Sequence, residues 1–306
     1  MKVAGWLSRL DDAFGEGQFI GPDLLPVVTA ETDYGVAAAR SYAGFFALSS
    51  CIQSLVLQTL ATAQRTRLAK SGEGWFRPVL LSFAGLFRIL RAAESLFLHG
   101  YPLNAYAQLR DLKDRLLATG AVINGYITFQ DANGWNTVNV APELFTIEDF
   151  RKRREARKKA DRFILDHMTG KQSGLSIETR SELRKWSDFF HTEVHGGRFT
   201  FALEGEDWLY GRAPLPIAPS LGSHSKGEGL FISHFEQLGW LLVRTLPYLQ
   251  PPETHFSSKW HTRWAILDDS LRIVTEERVS AERPLFAAFL ELVNQKFAFT
   301  PSKTCY

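Results

Sequence analysis

The stretch Ser181–Arg198, SELRKWSDFFHTEVHGGR, decides how this chain is read. At 3.6 residues per turn, Leu183, Trp186, Phe190 and Val194 fall on one apolar stripe. Arg184, Asp188, His191 and His195 form a second stripe beside it, at offsets of four, three and four. The spacing predicts an amphipathic helix carrying a cation, a carboxylate and two imidazoles along the edge of its buried face. Gly196-Gly197 supplies the residues that a helix C-terminus favours. Nowhere else in the sequence do groups able to do acid/base chemistry cluster at regular spacing.

Around this stretch the chain reads as a succession of helices. Asp33 or Thr32 can cap a helix running to about Lys70 through Val36-Ala37-Ala38-Ala39, and Ser71-Gly72-Glu73-Gly74 ends it. A second helix, Trp75 to His99, places Phe83, Leu86, Phe87, Leu90 and Ala93 at helical intervals, closed by Gly100. Pro102 suits the first turn of a third, Leu103 to about Thr119, with Leu109, Leu112, Leu116 and Leu117 on its apolar face. Gly125 to Asn139 mixes β-branched and aromatic residues with Asn and Gly, and is expected to be a loop or small hairpin. Ile147 to Met168 is a charged helix with eight Lys/Arg against five Asp/Glu. Arg151, Arg154 and Lys158 make it the best candidate for touching phosphate, although such a run is ordinarily a solvated face held by local ion pairs. Phe199 to Tyr210 is expected to be extended, Ala213 to Gly229 a Pro/Gly/Ser-rich loop, and Leu230–Tyr248, Ser258–Arg278 and Ala281–Phe297 helical, the last capped by Ser280.

These expectations assemble into a mostly all-α protein. Residues 1–30 form an N-terminal arm, 31–200 a helical bundle, 201–229 an extended segment and loop, and 230–306 a helical C-terminal extension packed on the bundle. With 306 residues, 45% hydrophobic and 22% charged, the chain has an ordinary globular balance, and a net charge of +2 points to no partner by itself. Two distant cysteines, Cys51 and Cys305, exclude a disulfide framework and a cysteine zinc site, and fit a cytoplasmic protein. The N-terminus lacks a continuous apolar run and is not expected to be a secretion signal. Ser41 to Gln64 carries no charge, but its Ser, Gln and Thr residues favour a buried helix over a membrane span, so no membrane partner is expected. Trp240, Trp260 and Trp264 are expected in core or interface packing, with stacking on bases the lesser alternative. The sequence holds no phosphate-binding glycine loop, dinucleotide fingerprint or Gly-x-Ser-x-Gly.

The Arg184-x6-His191 spacing suits one chemistry in particular. An imidazole titrating near neutrality can take a ribose 2′-hydroxyl proton or protonate a leaving oxygen. A guanidinium can hold the scissile phosphate and stabilise its growing charge, with no metal or other cofactor. The plainer alternative is an ion pair between Arg184 and Asp188, with His191 and His195 favoured by a helix C-terminus. A zinc helix built on His191 and His195 is a minor option, since Glu193 stands one place late for H-E-x-x-H and no third ligand is evident.

Two segments carry a family resemblance, GYPLNAYAQLRDLKD at residues 100–114 and KWSDFFHTEVHGG at residues 185–197. Together they resemble the HEPN superfamily, and within it uncharacterised helical proteins close to the abortive-infection type. The resemblance spans about residues 75–200 and implies a HEPN-like bundle with a short extended or β insertion, often a homodimer. It implies an RNA substrate, toxin-type activity in anti-phage defence, and an antitoxin or other protein partner. Arg184 and His191 would be phosphate clamp and acid/base, Asp188 an orienting carboxylate, and Arg110 with Asp114 a supporting polar pair. The chain departs from the family pattern in having Asp114 where Glu is usual and Lys185 directly after the motif arginine. A non-catalytic helical scaffold or sensor that binds another protein is the competing expectation.

Overall fold

The computed structural model describes residues 25–68, 76–134, 144, 146–194, 225–250, 256–278 and 283–298. Among the described residues the regular structure is all helical, with no strand. In chain order the helices are α1 (Leu25–Ser41), α2 (Ala43–Leu68), α3 (Phe76–Leu98), α4 (Pro102–Ile123), the single turn α5 (Phe129–Ala132), α6 (Ile147–Met168), α7 (Ile177–Val194), α8 (Ser225–Thr245), α9 (Ser258–Arg278) and α10 (Arg283–Lys296). A 3₁₀ turn, Leu246–Leu249, continues α8 around Pro247.

The central element is α4. It packs on α3, α8, α6 and α7 at once, so Tyr106, Leu109, Leu112, Leu116 and Ala121 are all buried. Gly100, at φ 84°, turns the chain out of α3, and Pro102 opens α4 with its fixed φ and missing N–H. The sequence suggests a stop near Thr119, yet the helix continues through Gly120 to Ile123. A Cβ on Gly120 would lie 2.6 Å from Met168 Cε and 3.0 Å from the Phe297 ring. That glycine serves close helix approach, not termination. Beneath α4 one hydrophobic cluster joins all the long helices from α2 to α10, with Trp240 and Trp260 buried and Trp264 packed at its edge.

Other boundaries also move. Residues 25–30, expected within an arm, begin α1, and the helix expected to run unbroken to Lys70 is interrupted at Tyr42. Of the loop or small hairpin expected after Gly125, the described part is a loop with a helical turn, because Thr128 caps α5 by accepting from the Asp131 N–H; positions 135–139 lie outside the described residues. Helix α8 starts five residues before Leu230, inside the expected loop. The Glu228 carboxylate, in its first turn, accepts from Tyr34 at 2.9 Å and Tyr42 at 2.7 Å and ties it to α1 and the α1–α2 break. The 199–210 segment expected to be extended, and the Ser280 cap, lie outside the described residues. For α6 the bounds agree, set by a capping box in which Thr146 and Asp149 bond reciprocally.

A second buried carboxylate ties α8 to α9. Arg278 Nε donates to Glu236 Oε2 at 3.2 Å. Burial pushes the Glu236 carboxyl up to about 7, opposed by the Arg278 charge. The folded chain therefore retains a proton that an unfolded chain releases from about pH 4.5 upward. This contribution to stability is fullest in acid and is lost as the pH rises through about 7. His234 works in the opposite sense, since burial lowers its imidazole to about 4 and its cost grows as the pH falls below about 6.5. A Glu236→Gln variant keeps His234, so the difference from wild type isolates the carboxyl. In urea unfolding the variant should gain on the order of 2 kcal/mol on the wild type between about pH 5 and about pH 8. A difference independent of pH would show that Glu236 is ionised throughout.

Candidate functional site

The two segments that carry the family resemblance pack against each other, as α4 and α7. The apolar stripe of α7 is buried as its spacing requires, through Leu183, Trp186 and Phe190. The Phe190 ring stacks on Tyr106 of α4 with centroids 5.1 Å apart, and Trp186 Nε1 donates to Gln237 of α8 at 3.0 Å. These contacts fix the rotation of α7 about its axis. Arg184 and Asp188, on the neighbouring polar stripe, are therefore turned outward.

At that boundary sits a buried lysine. Lys113 of α4 is 1% exposed, yet its Nζ donates to Ser187 Oγ at 3.0 Å and lies 3.3 Å from Asp114 Oδ1. The ammonium also stands 5.2 Å from the Phe190 ring and 5.9 Å from that of Trp186, within cation–π range. Burial pulls its pKa down, Asp114 and Asp188 pull it back up, and Arg110 adds to the lowering. Arg110, Lys113 and Asp114 of α4 thus share one electrostatic neighbourhood with Ser187 and Asp188 of α7.

Arg184 and Asp188 form the four-residue ion pair that their spacing suggests, at 3.7 Å, with side chains 84% and 66% exposed. At that exposure the pair contributes only a few tenths of a kcal/mol. Both groups are consequently available to a ligand. The backbone of His191 continues the helix seven residues after Arg184, returning it to the same face. Its side chain, and the whole of His195, lie outside the described part of the structure.

The charged helix α6 closes the other side of α4. Arg151 pairs with Glu148 at 3.0 Å and Lys158 with Glu155 at 2.8 Å, all of them on the exposed surface. Arg154 is exposed as well. Two of the three cations marked for phosphate are therefore partly neutralised within their own helix. Arg154 and Lys158 share their flank of α6 with Asp161, at helical offsets of seven and three. Asp161 is exposed, but partial desolvation by its surroundings pushes its carboxyl up, opposed by Arg157 and reinforced by Asp114. Asp161 is thus close enough to Asp114 to feel its charge.

Lys113 and Asp161 are the participants that sequence reading does not mark. A signal for Lys113 exists: Tyr106, Leu109, Lys113, Leu116 and Gly120 follow the three-four rhythm of a buried stripe, so this lysine occupies a core position. His234 also goes unmarked, although it lies edge-on to both Phe190 and Tyr106 beneath the site. Among the described residues no group of three His, Cys, Asp or Glu is placed to hold a metal ion. Compared with protein-family models, curated proteins and solved structures, the chain matches none.

The burial of Lys113 has a measurable consequence. Lys113→Met keeps the aliphatic stem while deleting a desolvated charge, so thermal unfolding should occur at or above the wild-type temperature. Lys113→Ala leaves a void and should cost about 2–4 kcal/mol. If the methionine variant loses as much as the alanine variant, the ammonium contacts carry net stability.

Proposed function

We propose that the α4–α7 face is the site of a HEPN-like, metal-independent endoribonuclease that acts on RNA as a toxin-type effector in anti-phage defence. The observation that supports the reading is the meeting of Arg110, Lys113 and Asp114 with Ser187 and Asp188. The Arg184–Asp188 pair stands open to solvent directly beside that cluster.

In this reading the RNA backbone runs along the exposed stripe of α7. The Arg184 guanidinium takes the non-bridging oxygens of the scissile phosphate, and Asp188 holds that guanidinium in position. His191 removes the 2′-hydroxyl proton, the 2′-oxygen attacks phosphorus, and the bond to the 5′-oxygen breaks. The products are a 2′,3′-cyclic phosphate and a 5′-hydroxyl, whose proton comes from a second acid, the role given to His195. Lys113 and Arg110 keep the local potential positive where charge builds up on the phosphate.

A second reading, a non-catalytic scaffold or sensor that binds a protein partner, draws on a different observation. A large open cavity lies between α2 and α9, with Glu236 of α8 also in its lining, and includes no residue of α7 in that lining. RNA incubated with the purified chain in EDTA separates the two. Cleavage with cyclic-phosphate ends is expected, reduced roughly 10²–10⁴-fold by His191→Ala and roughly 10²–10³-fold by Arg184→Ala. Intact RNA at high protein concentration removes the nuclease reading and leaves the scaffold.

A further inference from the structure

Ser187 carries a proton that the fold leaves unspent. Its Oγ accepts from Lys113 Nζ at 3.0 Å. An ammonium has three donors and no acceptor, so the Ser187 proton cannot be given back to it. The Asp114 carboxylate at 3.3 Å and the rings of Phe190 and Trp186 at 5.2 Å and 5.9 Å all favour the charged form of that lysine. Other helical hydroxyls of this protein return their proton to the carbonyl four residues back. Thr59 does so to Leu55 at 2.7 Å, Thr119 to Arg115 at 2.8 Å and Ser270 to Ile266 at 2.7 Å. Ser187 makes no such bond to Leu183, and among the described residues no other acceptor takes its proton. An idle donor on a buried side chain is costly, and here it points to an acceptor that arrives from outside.

The position of Ser187 says which acceptor. It stands on the seam between the two stripes of α7, three residues after Arg184 and four before His191. Residues so spaced are neighbours on a helix surface, about 5–6 Å apart between Cβ atoms. The Arg184 side chain is open to solvent, paired with Asp188 at 3.7 Å. An oxyanion laid over this turn of α7 meets the guanidinium, the unspent proton and the Lys113 charge behind it. Because the ammonium draws electron density from Oγ, the hydroxyl is a stronger donor than an ordinary serine. At 7% exposure Ser187 can be touched by a single ligand atom, which suits a hydrogen-bond donor and not a nucleophile that must be approached by a reacting carbon or phosphorus.

We infer that Ser187 is a phosphate-contacting residue of the α7 face, and that Lys113 is the positioning residue that keeps its proton turned toward the ligand. The inference rests on the nuclease reading for the identity of that ligand, a phosphodiester of the RNA backbone. It adds a donor that the cleavage steps do not otherwise use. Arg184 and Ser187 take different non-bridging oxygens of one phosphate, which fixes its rotation on the helix.

The test uses the full chain and a single-stranded RNA with 2′-O-methyl riboses, which lacks the attacking hydroxyl and is bound without being cut. Its affinity is read by fluorescence anisotropy. Ser187→Ala should weaken binding roughly tenfold, as the loss of one hydrogen bond to a charged acceptor does. Ser187→Cys keeps the volume but offers only a weak donor, so it should lose as much. Lys113→Met, which keeps the buried stem, should also weaken binding, and in that background Ser187→Ala should have little further effect; the methionine variant carries the test alone if the Ser187 variants do not fold. Wild-type affinity in any of these variants overturns the inference. So do losses that simply multiply in the double variant, since the hydroxyl then acts without the lysine, and so does a wild type that does not bind the methylated strand. Unmodified RNA in EDTA is run in parallel. Cleavage by a chain whose binding ignores Ser187→Ala keeps the nuclease and removes the inference. Intact RNA with the expected binding losses removes the nuclease and keeps the phosphate contact.

Discussion

A lysine ammonium sealed beneath two aromatic rings sets the terms for the α4–α7 contact. Lys113 loses nearly all of its water, and the replacement is one hydroxyl at 3.0 Å, one carboxylate at 3.3 Å and two π faces. Desolvating an ammonium costs several kcal/mol, which a single hydrogen bond does not return. The arrangement persists because α4 is enclosed by α3, α6, α7 and α8, and the apolar burial of that assembly dwarfs one unfavourable group. The charge is then a fixture of the surface above it. A positive potential under Asp188 and Arg184 acts on any anion that approaches α7.

Three buried carboxylates follow a common plan, in which each accepts from at least one donor on another helix. Glu228 of α8 is held by Tyr34 and Tyr42, both of whose phenols are pushed up by burial and the neighbouring carboxylate, so they remain donors. Glu94 of α3 accepts from Gln53 of α2 at 2.7 Å and from Arg91 at 2.5 Å. Glu236 of α8 accepts from Arg278 of α9. Each tie constrains one helix pair in direction as well as distance, which apolar packing alone does not do. The phenylalanine cluster fills the space between them, with Phe97 stacked on Phe231 at 4.7 Å and Phe45 edge-on to both.

Function and architecture divide across the bundle. The α4–α7 face carries exposed charge above a buried apolar base, whereas the α2 wall of the α2–α9 trough is uncharged. A face of the first kind attracts anions over a Debye length; one of the second kind holds a partner only through close contact. Helix α8 touches the elements behind both faces, packing on α4 as well as on α2 and α9.

Periodicity alone carried the helices with clean boundaries. The apolar rhythms of α3, α4 and α7 are local signals, readable because a helix repeats every 3.6 residues whatever surrounds it. The Arg184–Asp188 pair was legible for the same reason. Gly120, Gly227 and Lys113 were not, because each looks like a terminator, a loop residue or a solvated charge until its neighbours are known. The first is fitted against Met168 and Phe297, a Cβ on the second would lie 3.5 Å from Leu103, and the third is roofed by Trp186 and Phe190. Sequence by itself determined a mostly helical chain and the face of α7 that carries Arg184 and Asp188. Which side chains of α4 stand under that face, and which stretch of α2 is left uncovered, was decided by how the helices pack, since burial depends on partners far away in the chain.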